Sequence, residues 1–272
     1  MRIEFLFPEL VTIYGEKANV EYLEKCLPDA QVVTTSLEEG PAFALPLSQT
    51  MKAGEDASKK KPSLPDLCYI GSIQEDYFEA ALSSLRPYKK GLERYIKSGR
   101  IFLATGNAID LFGKTIEWKD RVYPDGTVKD CVLEGLGLYD YKSVIHRDQT
   151  RHNSWYYGEY ENMKIMGHRS TFSRIYGGEV FPFIKTLGGF GMNDETKQEG
   201  IHQDGFYATT LLGPLLIMNP DLTKYFIRKM AESSGEKAPE TLFEEKLIYE
   251  AYHNRLSYLS KPDARYVMGA LG

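Results

Sequence analysis

The sequence predicts an α/β fold built on a mostly parallel central sheet, and three observations carry that expectation. Two short apolar runs, DLCYIGS (66–72) and RIFLATGN (100–107), read as strands buried on both faces, as strands of parallel sheets are. Segments with helical spacing of apolar residues lie between and before them. From about residue 120 the texture changes to alternating, turn-punctuated strands, which marks an antiparallel excursion across 120–190.

RIEFLF (2–7) is a first strand stopped by Pro8. VEYLEKCL (20–27) follows as a helix, with Val20, Leu23 and Leu27 on one face and Cys26 adjacent. AQVVTTSL (30–37) is β-branched and reads as the second strand. Residues 39–65 break the pattern with scattered Pro, Gly and a KKK run, and are expected to form a mobile surface insertion. FEAALSSLRPYKKGLERYIKSG (78–99) is helical, interrupted at Pro87 and capped by Gly99. RIFLATGN then feeds through Gly106 into a helix predicted over AIDLFGKTIEW. That turn sits at the carboxyl edge of the sheet, where open α/β sheets hold their ligands. RVYPDGTVKDCVL, YKSVIHRD, HNSWYYGEYENMKIMGHR and EVFPFIKTLG supply the antiparallel strands. FYATTLLGPLLIMNP and LTKYFIRKMAES return to strand and helix, and 242–259 makes a final amphipathic helix. With no internal repeat and no clean linker, residues 1–272 are expected to form a single domain.

The composition, 42% hydrophobic and 26% charged, is that of an ordinary globular protein, and 272 residues bury a core without disulfides. A net charge of -5 argues against a nucleic-acid partner. Cys26, Cys68 and Cys131 are an odd number without metal-ligand spacing, and are expected to be buried in a reducing compartment. No apolar run approaches the ~20 residues that span a bilayer, and Met1 to Pro8 does not read as a signal peptide. A cytoplasmic location without membrane contact is the expectation.

Four blocks then acquire meaning as an ordered set: YGEKANVEYL near the N-terminus, LEGLGLYDY (133–141), GFGMNDETKQEGI (189–201) and LLGPLLIMNPDLTKYFIRK (211–229). They resemble, in order, the Tyr-Gly-Asp-x-Gly-Asn, Glu-Gly-Leu-Gly, Gly-x-Gly-Asn-Asn and Leu-His-Gly-Pro blocks of CobB/CobQ-type class I glutamine amidotransferases. That family includes the amidotransferase subunit of lipid II isoglutaminyl synthase and the glutaminase domains of cobyric acid synthases. The resemblance covers roughly residues 1–230 and implies a flavodoxin-like three-layer sandwich.

Such an enzyme attacks the glutamine amide with a thiolate held on a strained strand-to-helix turn and forms a thioester. A histidine carries the proton, and backbone N–H groups receive the oxyanion. Aligned on the family, the cysteine of Cys-Gly-Gly-x-Gln falls on Gly106, with Asn107 and Ala108 replacing the two glycines and Asp110 the glutamine. The histidine of Leu-His-Gly-Pro falls on Leu212. The oxyanion-side Gly-Gly becomes Gly71-Ser72, and Ser170-Thr171-Phe172-Ser173-Arg174 keeps only the arginine of Asn-His-Gly-Gly-Arg. Glycine has no nucleophile and leucine moves no proton, so the glutaminase is expected to be lost.

The candidate pocket comprises Gly71, Ser72, Thr105, Asn107, Thr171, Arg174, Asn193 and His202, around the degenerate catalytic positions Gly106 and Leu212. Thr105 is a replacement nucleophile or, by preference, a helix cap. Asn107 serves the turn or an anion site, and Arg174 holds a carboxylate or a structural ion pair. His146, His152, His168 and His202 lack the spacing of a metal site, and neither metal nor cofactor is expected. The tyrosines of WYYGEYENM belong to strand pairing in preference to an interface.

The resemblance implies a non-catalytic subunit that docks on or regulates a synthetase or Mur-ligase-like partner, with a small carboxylate or amino acid as ligand. The alternatives are an active amidotransferase, cobyric acid synthase-like or peptidoglycan-amidating, with relocated catalytic residues, and a small-metabolite-binding module.

Overall fold

The computed structural model describes residues 1–44, 63–147, 151–178 and 181–267. β1 (Arg2–Leu6) is buried along its whole length, as a strand covered on both faces of its sheet is. α1 (Lys17–Cys26) returns the chain to β2 (Gln31–Thr35), starting before the predicted residue 20 because Asn19 is also buried. β3 (Leu67–Ile70) follows, then α2 (Phe78–Leu85), a 3-10 turn Arg86–Tyr88 at Pro87, and α3 (Lys89–Lys97). Gly99 ends this pair at φ +81°, a conformation glycine adopts without strain. β4 (Ile101–Thr105) is again fully buried.

After β4 the structure corrects the expected helix. Gly106–Phe112 forms a 3-10 helix, and the chain is already extended in β5 (Thr115–Val122). TIEW has period two, with Ile116 and Trp118 buried and Thr115 and Glu117 half-buried, so the strand pattern prevails there. There follow β6 (Val128–Glu134), β7 (Lys142–His146), β8 (His152–Tyr160), β9 (Met163–Thr171) and β10 (Ser173–Tyr176). β11 (Pro182–Gly188), β12 (Gln198–Gln203) and β13 (Phe206–Thr209) complete the strands. Three helices close the described chain: α4 (Leu215–Met218), α5 (Pro220–Ser234) and α6 (Glu245–Leu259).

Among the described residues the main sheet has nine strands in the order β2-β1-β3-β4-β13-β12-β11-β8-β9. Its first five strands are parallel and the remainder antiparallel. α1 joins β1 to β2 and α2–α3 join β3 to β4, in opposite directions along the sheet, so crossovers of the general right hand put these helices on opposite faces and give three layers. A second sheet, β10-β7-β5-β6, packs beside the 3-10 helix and is antiparallel except where β5 meets β7. α6 lies against β9 through Tyr252, Leu259 and Met166. No helix among the described residues is long and apolar enough to cross a membrane.

The segment 39–65 lies largely outside the described residues, but its first part is not a surface insertion. Ala42 and Phe43 are buried, and their N–H groups donate to the carboxylate of Glu4 in β1 at 2.5 and 3.1 Å. Thr35 Oγ1 and Cys68 Sγ donate to the same carboxylate, so one buried acid joins β1, β2, β3 and this segment. Cys26 and Cys68 are buried as expected, whereas Cys131 is half-buried because β6 is an edge strand.

Candidate functional site

The carboxyl ends of β3, β4 and β13 and the loop after β1 surround one cleft of about 320 Å³. β3 runs out through Gly71 and Ser72, β4 through Gly106 and Asn107, and β13 through Thr210 and Leu212. Gly106 takes φ +61°, where an L side chain is strained. Its N–H donates to the Leu211 carbonyl at 2.9 Å, which fastens the turn to the end of β13. A Cβ built on Gly106 would lie 1.7 Å from Ser72 Oγ and 3.1 Å from Leu212 Cδ2. Positions 72, 106 and 212 therefore meet at one point, and the serine hydroxyl fills the volume a side chain at 106 would need.

Beneath them lies Glu16, 1% exposed. Ser72 Oγ donates to its Oε1 at 2.9 Å, while Tyr69 and Thr105 hydroxyls donate to Oε2 at 2.6 and 2.7 Å. Asn19 Nδ2 adds a longer bond at 3.3 Å. Burial raises the Glu16 pKa, and the hydroxyl donors and the Gly213 N–H pull it back. Gly71 permits this packing, since a Cβ there would lie 2.7 Å from both Glu16 Cβ and Val11 Cγ1.

The structure thus brings Gly71, Ser72, Thr105, Gly106, Asn107, Thr171 and Leu212 to one place. Thr105 is fully buried, and its hydroxyl serves Glu16 instead of capping the following helix. Asn107 is a latch: its Oδ1 accepts from Ile73 N at 3.0 Å and its Nδ2 donates to Ile73 O at 2.7 Å. Of the residues expected in the pocket, Ser72, Asn107 and Thr171 line it, Gly71 and Thr105 pack around Glu16 behind its wall, and Arg174, Asn193 and His202 lie elsewhere. Arg174 is buried against Asp194, with Nε 3.1 Å from Oδ2. Asn193 organises a turn, accepting from Glu195 N and Thr196 N while donating to the Ile175 carbonyl. His202 stacks on Tyr207 with ring centroids 3.9 Å apart.

His152 forms the other notable pair, its Nε2 2.6 Å from Asp194 Oδ1 and its ring stacked on Phe190. Burial and the nearby Arg169 guanidinium hold its pKa down to about 4. Ser170, on β9, does line the cleft, as do Tyr14, Glu75, Arg147 and Arg151. Sequence reasoning missed the last four and Glu16; for Glu16 the acidic third position of YGEKAN was the available signal. Among the described residues no group of three or more His, Cys, Asp or Glu could hold a metal ion.

No family profile matches the chain. Over 183 residues it is 30% identical to the lipid II isoglutaminyl synthase (glutamine-hydrolyzing) subunit GatD of Staphylococcus aureus strain N315. The chain is thus similar to a glutamine amidotransferase subunit. The match spans 62% of this chain and 65% of the relative. Solved structures similar to this chain include a glutamine amidotransferase at 13% identity, TM-score 0.48, covering 84% of this chain and 98% of the other. Another, from Thermotoga maritima, is 9% identical with TM-score 0.41 and covers 95% and 93% of the two chains.

Proposed function

We propose that this chain is a glutamine amidotransferase-like subunit without glutaminase activity, which docks on or regulates a synthetase or Mur-ligase-like enzyme. The observation that carries the reading is the junction of Gly106, Ser72 and Leu212. Gly106 has the left-handed backbone of a nucleophile turn but no side chain, and the Ser72 hydroxyl occupies the space beside it. Leu212 offers only methyl groups where a proton carrier would stand. Ser72 itself is fully buried, and its hydroxyl is engaged with Glu16. None of these three groups can form a thioester. The relative's name supports a partnered role, since GatD is a subunit of a synthase.

The test is release of glutamate and ammonia from glutamine, by the chain alone and with a Mur-ligase-like protein of the same cell. Size-exclusion chromatography of the two together reports docking. The expected result is no turnover in either condition and a shared elution peak. Turnover, or covalent labelling by a glutamine-mimicking electrophile, would establish relocated catalytic residues. Separate elution would remove the docking role.

A further inference from the structure

The mouth of the cleft carries an arrangement that the loss of a nucleophile does not explain. Two guanidiniums approach the Phe172 ring, Arg147 Cζ at 5.7 Å and Arg151 Cζ at 5.4 Å from its centroid, and all three residues line the cleft. A guanidinium held near a ring by cation–π attraction keeps N–H donors that can still serve an anion. Arg147 is ion-paired with Glu75, which anchors it. Arg151 is different: Nη2 donates to the Tyr14 hydroxyl at 2.8 Å and to the Ser170 carbonyl at 3.5 Å, both neutral. It has no carboxylate partner among the described residues. Glu75 and Asp76 line the same cleft, so its formal charge is balanced, and what sets Arg151 apart is that the bonds it makes there are to neutral groups.

We propose that the cleft binds a phosphate-bearing small molecule, with its phosphoryl oxygens held between the edges of Arg147 and Arg151. The proposal rests on the non-catalytic reading of the site, since a ligand here then needs no scissile amide. Stoichiometry of hydrogen bonding selects phosphate over carboxylate. A carboxylate presents two oxygens in one plane, which a single guanidinium fork satisfies. A phosphate monoester presents three acceptor oxygens and about -1.5 to -2 charges, enough for two forks approaching from different sides. Gln74, Ser170 and Thr171 supply amide and hydroxyl groups along the wall for the remainder of the ligand.

The experiment is isothermal titration of the full chain with inorganic phosphate, pyrophosphate, glycerol 3-phosphate and glutamate, alongside the variants Arg151→Gln and Arg151→Lys. The expected result is saturable binding of a phosphate probe, weakened at least tenfold by Arg151→Gln. Arg151→Lys keeps the charge but loses the fork, and is expected to recover only part of the affinity. The free anions and the ester distinguish a phosphate site from one that also reads the esterified group. Circular dichroism melting confirms that each variant is folded. Phosphate binding indifferent to both variants, or no phosphate binding, would overturn the proposal, as would glutamate binding alone. Those outcomes leave the non-catalytic reading standing, because glutamine turnover is what decides it.

Discussion

Gly106 concentrates two separate constraints in one residue, and they can be pulled apart. Its φ of +61° disfavours any L side chain by roughly 1–2 kcal/mol, and a Cβ would also lie 1.7 Å from Ser72 Oγ. Gly106→Ala is therefore expected to destabilise the protein by more than the backbone term alone. Ser72→Gly in the same chain should recover the steric part and leave the backbone part. Chemical denaturation of the two single variants and the double variant gives the coupling energy directly. Additivity would mean that the serine does not fill the site. The same geometry bears on reactivation: Gly106→Cys is expected to yield a poorly folded protein, and a reactive thiol requires Ser72→Gly beside it. Accessible-thiol titration of Gly106→Cys with and without Ser72→Gly checks this.

At the scale of elements, Glu4 ties three strands to the segment that follows β2. Its carboxylate accepts from Thr35, Ala42, Phe43 and Cys68 in a fully buried position, and burial raises its pKa. Glu4→Leu strands these donors, and each buried unsatisfied donor costs about 1–3 kcal/mol. The expected outcome is a loss on the order of 3 kcal/mol, with early proteolytic cleavage near residues 39–44. Wild-type stability together with unchanged proteolysis would sink the idea. This anchor also shows what the sequence could not convey. The parallel half of the fold was legible because β1, β3 and β4 are buried on both faces and read as continuous apolar runs. The burial of Ala42 and Phe43 depends on an acid 38 and 39 positions away, and no local pattern reports that. The site divides the same way. Ser72, Thr105, Gly106, Asn107 and Leu212 follow from strand ends, whereas Arg174, Asn193 and His202 were misplaced because their positions depend on antiparallel register. Arg147 and Arg151 join Phe172 only through the packing of β7, β8 and β9.

Across the whole molecule, buried ionisable groups of opposite tendency set the pH dependence of stability. Asp110 is fully buried in the 3-10 helix after β4, accepting from Ser173 Oγ at 2.8 Å, and burial raises its pKa from 3.8 to about 7. The folded state therefore holds a proton that the unfolded chain releases above pH 3.8, so this contribution is full in acid and is lost as pH rises to about 7. His152 works in the other direction. Its pKa falls from 6.5 to about 4, so the unfolded chain takes up a proton first, and stability declines as pH drops across that interval. Between about pH 4 and 6.5 the two slopes oppose each other. Glu4 and Glu16, both raised by burial, share the sign of Asp110. Asp110→Asn keeps the shape and removes one titration. Relative to wild type it should gain stability progressively from pH 4 to pH 7, at up to about 1.4 kcal/mol per pH unit, and the acid-side decline from His152 should steepen. Denaturant midpoints taken at pH 4, 5, 6, 7 and 8 for the two proteins decide it. A difference that stays constant across this range would show that Asp110 ionises in the folded protein as it does in the unfolded chain, and its burial would then have no hold on its proton.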